Sequence, residues 1–336
     1  MQKLLIDGII YSLQKEGGIS TVFNEIIKRL PKDYFLLSLY KKNNFKLNTK
    51  LNLITLNYRI LERYRKFDYK FKNTIFHSTY YREPINKDVK IVQTVHDFIY
   101  EKYINGIKQN IHTYQKSKAI KNADIIICVS NNTKSDLLNY YGSSYENKCK
   151  VIYNAASEDF YNIKNIEKIN QVLFIGQRSG YKNFNALVLA ISRIGFLKLA
   201  VIGSEFTREE FIFLKKHIPN KFVNLGYLTN YEVNIQYNIS FCLVYPSIYE
   251  GFGIPILEAM QSGCPVIAVN SSSIPEIIDP KYLMSIGSSE EIENSILALM
   301  NDDYRNECIN YGLKKCLAFH WDKTYNQTYK IYNSLL

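Results

Sequence analysis

The stretch Tyr249-Glu250-Gly251-Phe252-Gly253-Ile254-Pro255-Ile256-Leu257-Glu258-Ala259-Met260 sets two glycines and a proline between the apolar run 241–245 and a second apolar run. That order reads as strand, glycine loop, helix. Pro255 suits the first helical position, where its missing N–H is no loss and its fixed φ is already helical. The amides from Phe252 to Ile256 then point out of the helix N-terminus, and with the helix dipole they form a site for sugar hydroxyls or phosphate oxygens. Glu258 falls in the first turn and Glu250 just before the loop, so two carboxylates flank one amide-lined pocket. A carboxylate accepts a pair of hydrogen bonds from a vicinal diol, which a ribose and a hexose both offer. Either acid alone would read as an ordinary helix-start or loop acid; the two together around one loop point to a ligand.

Outward from this segment, short apolar runs alternate with helical patterns along the whole chain, the mark of repeated βαβ units around a parallel sheet. Strands are expected at 3–9, 34–39, 53–56, 74–77, 90–95, 124–129 and 150–153. After a polar bridge at 157–170 they resume at 172–175, 197–202, 223–225, 241–245 and 266–269. Between Gly18 and Leu30 the apolar residues Ile19, Val22, Phe23, Ile26, Ile27 and Leu30 recur at helical spacing and make one apolar face. A length of 336 residues fits two domains. The bridge divides them into 1–160 and 161–318, with a closing helix at 319–336 expected to pack back towards the first. No low-complexity tract or fixed-period repeat is present, which excludes solenoids. The expected fold class is α/β, two doubly wound parallel sheets in tandem. Such sheets take ligands at the carboxyl ends of their strands, which directs the site to the cleft between the domains.

An apolar fraction of 46% against 22% charged residues belongs to a globular protein and not to a disordered one. No run comes near the ~20 apolar residues that span a bilayer, and the first residues lack the basic region and cleavage site of a signal peptide. A cytoplasmic protein is expected. Its six cysteines, Cys128, Cys149, Cys242, Cys264, Cys308 and Cys316, stand singly among mostly apolar neighbours, which argues for reduced core residues and against zinc or disulfide frameworks. Charge is uneven: residues 1–164 hold 27 Lys and Arg against 15 Asp and Glu, whereas residues 165–336 hold 15 against 16. The first half is therefore the one that faces an anionic surface or ligand. Its densest patch, 41–72, sets ten basic residues against only Glu62 and Asp68, with Tyr58, Tyr64, Phe67, Tyr69 and Phe71 interleaved. Basic residues mixed with aromatics suit an anionic membrane surface; a solvated basic loop is the plainer alternative. No helix-turn-helix, zinc or RNA-binding signature accompanies the charge, so nucleic acid is not an expected partner.

Glu250 and Glu258 with the loop between them resemble the E-x7-E motif of the retaining family 4 glycosyltransferases, the "glycosyl transferases group 1". The resemblance extends along almost the whole chain. Gly17-Gly18-Ile19 before the amphipathic helix is similar to the family's first glycine loop, and Thr94-Val95-His96-Asp97 to its histidine-bearing strand end. Ala123-Asp124-Ile125-Ile126, Val129-Ser130 and Thr133-Lys134, then Val151-Ile152-Tyr153-Asn154, resemble the stretch that closes the first domain. Gly176-Gln177-Arg178-Ser179-Gly180-Tyr181-Lys182-Asn183 opens the second domain with the family's Arg and Lys, here separated by three residues where many members have four.

The resemblance implies the GT-B fold, two Rossmann-like domains facing each other across a cleft, the first binding the acceptor and the second the nucleotide sugar. By it, Glu250 would contact the donor hexose and Glu258 the nucleotide ribose. Arg178 and Lys182, which would share a face if their segment were helical, would hold the diphosphate. Phe252, Gly253 and Ile254 would line the donor site, His96 would reach a sugar hydroxyl or the acceptor, and Gly18 would let the backbone approach closely. The implied reaction is transfer of a hexose from a UDP- or GDP-linked donor to a saccharide or lipid-linked saccharide acceptor, with retention, in surface polysaccharide or lipopolysaccharide biosynthesis. Members work without a bound metal and the chain has no D-x-D motif, so no metal or other cofactor is expected. An acceptor of this kind, with the basic first half, would hold the enzyme as a peripheral protein at the inner membrane face. Two other readings share the architecture: a nucleotide-sugar 2-epimerase, which would turn over donor without acceptor, and a non-catalytic sugar- or lipid-binding module, against which the intact set of Glu250, Glu258, Arg178 and Lys182 argues. His77, His112, His217 and His320 match nothing in the pattern.

Overall fold

The twelve expected apolar runs form twelve strands, every pairing between them parallel. The computed structural model describes residues 3–14, 17–41, 52–69, 71 and 74–336. It divides into one unit of Met1–Asn154 with Trp321–Leu336 and a second of Ala155–His320.

In the first unit the strands are β1 (Leu4–Asp7), β2 (Phe35–Tyr40), β3 (Leu53–Leu56), β4 (Ile75–Ser78), β5 (Lys90–Val95), β6 (Ile125–Cys128) and β7 (Cys149–Val151). They lie in the order β3-β2-β1-β4-β5-β6-β7, so the winding reverses between β1 and β4. The helix Gly18–Arg29 buries Val22, Phe23, Ile26 and Ile27, the apolar face read from the sequence. The last helix, Trp321–Ser334, belongs to this unit. Its Tyr332 hydroxyl lies 2.7 Å from His77 Nδ1, Thr324 Oγ1 donates to the Tyr153 carbonyl at 2.6 Å, and Asn333 accepts from Tyr34 at 3.0 Å.

Arg82 is fully buried in this unit, and its charge is tolerable there because it is matched on every side. Nη1 faces both oxygens of Asp7 at 3.2 and 3.3 Å, Nη2 donates to Glu62 at 2.7 Å, and Nε donates to the Arg65 carbonyl at 2.8 Å. This network ties part of the 41–72 segment down onto the sheet and alters the reading of it. Residues 42–51, 70 and 72 lie outside the described residues. Of the aromatics counted towards a surface, Phe67 is fully buried and packs with Phe71 on Phe76. These two phenylalanines make a core contact, while Tyr64 and Tyr69 of the same segment stay exposed.

The second unit has β8 (Gln171–Ile175), β9 (Lys198–Ile202), β10 (Phe222–Gly226), β11 (Cys242–Tyr245) and β12 (Val266–Ala268) in the order β10-β9-β8-β11-β12. Val172, Phe174, Leu199, Val201 and Val244 from the strands pack with Leu187 and Ile292 from the helices Phe184–Arg193 and Ser289–Ala298. The winding reverses between β8 and β11. Just past β8 and β9 stand Gly176 and Gly203, with φ of +110° and +147°. A methyl group on Gly203 would lie 2.8 Å from the Gly176 carbonyl oxygen, so this edge must stay free of side chains. All six cysteines are free thiols, five buried and Cys308 half-buried. Among the described residues no helix is long and apolar enough to cross a membrane.

Candidate active site

The loops that leave β8 and β11, on either side of the reversal in the second unit, carry Arg178, Lys182 and Glu250. Lys182 closes a short 3-10 turn, Gly180–Lys182, and is buried. Its Nζ donates to Glu250 Oε1 at 2.5 Å and to the Tyr245 hydroxyl at 3.3 Å. Glu250 is also buried, and its loop is fastened by two serines. The Ser272 hydroxyl accepts from the Glu250 N–H at 2.8 Å, while the buried Ser273 hydroxyl bonds the carbonyls of Glu250 and Phe252 at 3.0 and 2.8 Å.

Arg178 lies before that turn, in the loop, so it does not share a helical face with Lys182 as a helix over both would require. It has its own anchors. Nη2 donates to the Glu205 carbonyl at 2.8 Å and pairs with Glu210 at 3.0 Å, and the guanidinium lies over the Phe206 ring at 5.0 Å. Nε and Nη1 are buried with no hydrogen-bond partner, and Nη1 stands 3.8 Å from where a Gly203 methyl would be. Buried guanidinium donors without a partner are uncommon, and they make Arg178 a candidate for holding an anionic group.

The glycine loop enters the helix Ile254–Gln261 with Gly253 as cap in the left-handed region, φ +112°. Pro255 is thus the second helical residue, and Glu258 lies beyond the first turn where the sequence spacing placed it. Pro255 has no N–H and Ile256 N–H is bonded to the Gly253 carbonyl at 3.0 Å, which removes the last two amides from the expected run of 252–256. Glu258 is half-buried and accepts from the Tyr237 hydroxyl at 3.1 Å. Burial pushes its pKa up to about 7, with the Tyr237 bond opposing the rise.

The other two predicted residues belong to the first unit. His96 follows β5; the residue is half-buried, and its Nε2 is buried with no partner. Burial, with the Lys116 charge second, lowers its pKa to about 3, so the imidazole is neutral. The residue after it is held by buried Lys116, which donates to the Asp97 carbonyl at 2.7 Å and to Glu101 at 2.8 Å. Gly18 is the first residue of its helix, and a methyl there would meet nothing within 4 Å. The open side is compatible with an approaching ligand; no contact within the chain demands glycine.

Two histidines given no role from the sequence have packing ones. His77 ties Thr94 on β5 to Tyr332 on the last helix, and His112 stacks on Tyr100 at 3.8 Å. Tyr245, Ser272, Ser273, Glu210 and Tyr237 were not read from the sequence. Only Glu210 left a local signal, the capping box Thr207-x-x-Glu210. Among the described residues no group of three or more His, Cys, Asp or Glu is placed to hold a metal ion.

Residues 155–315 match the model of the glycosyl transferases group 1, and residues 17–160 match that of glycosyltransferase family 4, so the two together span most of the chain. The chain belongs to the family 4 type of glycosyltransferases. This glycosyltransferase is 36% identical over 113 residues to the O-antigen chain mannosyltransferase B of Escherichia coli, a match covering 33% of the chain and 30% of that protein. It is 27% identical over 206 residues to an O-antigen chain mannosyltransferase of Salmonella typhimurium, covering 60% and 57%. The chain thus spans well under two thirds of either relative. Its fold is similar to that of HepE of Anabaena, solved with UDP and glucose, at a TM-score of 0.76 and 16% identity over the whole of both chains. The GT-B reading is borne out by such likenesses and by the two parallel sheets.

Proposed function

We propose that this glycosyltransferase moves a hexose from a UDP- or GDP-linked donor to a saccharide or lipid-linked saccharide acceptor of a surface polysaccharide, with retention and without a metal. The single observation that carries the donor half is the buried Lys182–Glu250 pair at the reversal point of the second sheet, with the half-paired Arg178 on the same loop as Lys182. The relatives' names support the pathway, and a UDP complex of a similarly folded protein supports a nucleotide donor.

In this reading the free Nε and Nη1 of Arg178, with Lys182, receive the diphosphate, and Glu258 takes the ribose diol. Lys182 leaves Glu250 when the donor arrives, and Glu250 accepts from hexose hydroxyls while the amides near Phe252, Gly253 and Ile254 border the sugar. As the bond from C1 to the phosphate oxygen breaks, charge gathers on the leaving diphosphate, where two fixed cations stabilise it more than in the ground state. The acceptor oxygen bonds C1 on the same face, and its proton passes to the leaving phosphate. His96, neutral, hydrogen-bonds a sugar hydroxyl without exchanging a proton in bulk; the first unit, with Gly18 at its open helix start, takes the acceptor. The place of action is the cytoplasm and the inner face of its membrane.

A thermal-shift panel of UDP, GDP, dTDP and their sugar conjugates, with and without EDTA, tests the donor and metal claims together. A selective rise indifferent to EDTA is expected. A rise abolished by EDTA would remove the metal-free claim, and an inverted anomer in the product would remove retention. Epimerised donor formed without acceptor would replace the transferase with an epimerase.

A further inference from the structure

The described part of the basic first half has an exposed apolar stripe on a helix the sequence pattern did not mark, beside the end of the 41–72 segment that it did. On the helix Ile107–Asn122 the inward face is His112, Lys116, Ala119 and Ile120. Opposite it, at steps of four, three and four, run Ile107, Ile111, Tyr114 and Lys118, all exposed. Ile107 is 77% and Tyr114 65% exposed. Beside this stripe, across a groove of about 200 Å³ bordered by Ile111, Tyr114, Gln115, Tyr64 and Lys66, lies the loop before Glu62. There Ile60 is 83% and Leu61 64% exposed. Leu61 holds a left-handed backbone, φ +58°, which is costly for a residue with a side chain. The Gln115 amide donates to the Arg63 carbonyl at 2.7 Å and joins helix and loop into one face.

Six large apolar side chains left in water on one face exceed the scattered exposure normal for a soluble protein. Cations frame them. Lys118 Nζ lies 5.2 Å from the Tyr114 ring centre and the Arg63 guanidinium 5.3 Å from that of Tyr64, while Arg65, Lys66, Lys108 and Lys121 are exposed around them. Apolar and aromatic groups ringed by long cationic stems match a bilayer interface, where the former enter the acyl boundary and the latter reach anionic headgroups. Glu83 also borders the groove, so the rim is mainly rather than wholly positive, and a second copy of this face would bring the same excess of cations and leave it without counter-charge.

We infer that the Ile107-Ile111-Tyr114 stripe, with Ile60, Leu61 and Tyr64, is the surface by which the first unit seats on an anionic lipid bilayer. It gives the lipid-linked acceptor of the proposed function a location, and rests on that reading only for its purpose: binding to lipid is independent of transfer.

The test is flotation of the full chain with vesicles, without donor or acceptor. Equal parts phosphatidylglycerol and phosphatidylethanolamine are compared with phosphatidylcholine alone. The wild type is expected to float with the anionic vesicles, to be released by high salt, and to ignore the neutral ones. Ile107→Glu with Ile111→Glu, and separately Lys118→Glu with Lys121→Glu, should each reduce binding at least tenfold. Thermal unfolding and donor-induced stabilisation should stay as in the wild type, since all of these side chains are exposed and belong to the first unit while the donor loops belong to the second. Wild-type levels of flotation in the isoleucine variant would overturn the inference, as would absence of wild-type binding to anionic vesicles. So would a dimer in sedimentation equilibrium that the isoleucine variant dissociates, because a second copy would then cover the stripe.

Discussion

Lys182 and Glu250, 68 residues apart in sequence, form a nearly buried ion pair at the heart of the candidate donor site. Each is the other's counter-charge, so removing one leaves a charge with little water to compensate it. Lys182→Ala or Glu250→Ala should therefore each lower stability by about 3 kcal/mol, at the low end for a broken buried pair because a tenth of each side chain is still exposed. The double variant should cost clearly less than the two together. Urea melts of the four proteins check this. Additive losses would mean that the two charges are screened independently. Transfer should fall at least tenfold in every variant, since the donor loses its partner in each.

Arg178 is held by Glu210 and the Glu205 carbonyl, and Glu210 also serves the capping box of the helix Arg208–His217. The two duties can be separated. Thr207→Ala breaks the cap, a loss of about 1 kcal/mol, without touching Arg178, and should leave the donor KM unchanged. Glu210→Ala releases Arg178 as well and should raise donor KM several-fold beyond Thr207→Ala. Glu210→Gln, which keeps a hydrogen-bond acceptor, should fall between. Arg178→Lys should lose at least tenfold in donor affinity, because a point charge cannot reproduce a planar group fixed at one nitrogen and open at two others. Equal KM for the Thr207 and Glu210 variants would make Glu210 a helix cap and nothing more.

If Glu258 takes the ribose as proposed, it should link donor binding to pH. Its pKa is raised from near 4.5 to about 7 in the folded protein, chiefly by burial. The folded state therefore holds a proton that the unfolded state has released between those values, and stability falls as pH rises across that window, by at most about 3 kcal/mol. Glu258→Gln should be the more stable protein at pH 8 and no different below pH 4.5. A ribose diol needs the ionised acid as acceptor, so wild-type donor affinity should rise from pH 6 to 8 while the Gln variant stays flat. Calorimetric titration across that range decides; parallel curves for the two proteins would take Glu258 out of donor binding.

The local periods made the twelve strands and the Gly18–Leu30 helix legible, because a buried strand or an amphipathic helix is written in consecutive residues. Glu250, Lys182 and Arg178 were legible as types within motifs. Their relations were not. That Lys182 meets Glu250, that Arg178 rests on Glu210, and that Phe67 turns inward to Phe76 while Ile107 and Tyr114 stay outside are facts of tertiary packing between distant segments. The misplaced Pro255 and Glu258 share one cause: Gly253, in a left-handed conformation, caps the helix one residue earlier than proline at its first position would imply. A glycine's φ is not written in its neighbours.

Three histidines held neutral in the folded state should make the first unit sensitive to acid. His77, His96 and His112 are each lowered to about 3, in every case chiefly by burial, so the folded state keeps them neutral where the unfolded chain would protonate them near 6.5. A depressed base of this kind contributes stability that is present above 6.5 and drains as pH falls towards 3, at up to about 1.4 kcal/mol per pH unit for each ring. The first unit should lose stability steeply below pH 6, and the helix Trp321–Ser334 should open more readily with it, because opening frees His77, whose ring joins Thr94 to Tyr332, to take up the proton that the folded state denies it. His77→Asn should flatten that acid slope by about a third at some cost in stability at pH 8, whereas His96→Asn should flatten it equally and also lower transfer. Hydrogen exchange of the last helix at pH 5 and 8 supplies the local readout. Unchanged protection of that helix at pH 5 would show that its opening does not release His77 to take up a proton, and would assign the acid sensitivity to the other two rings.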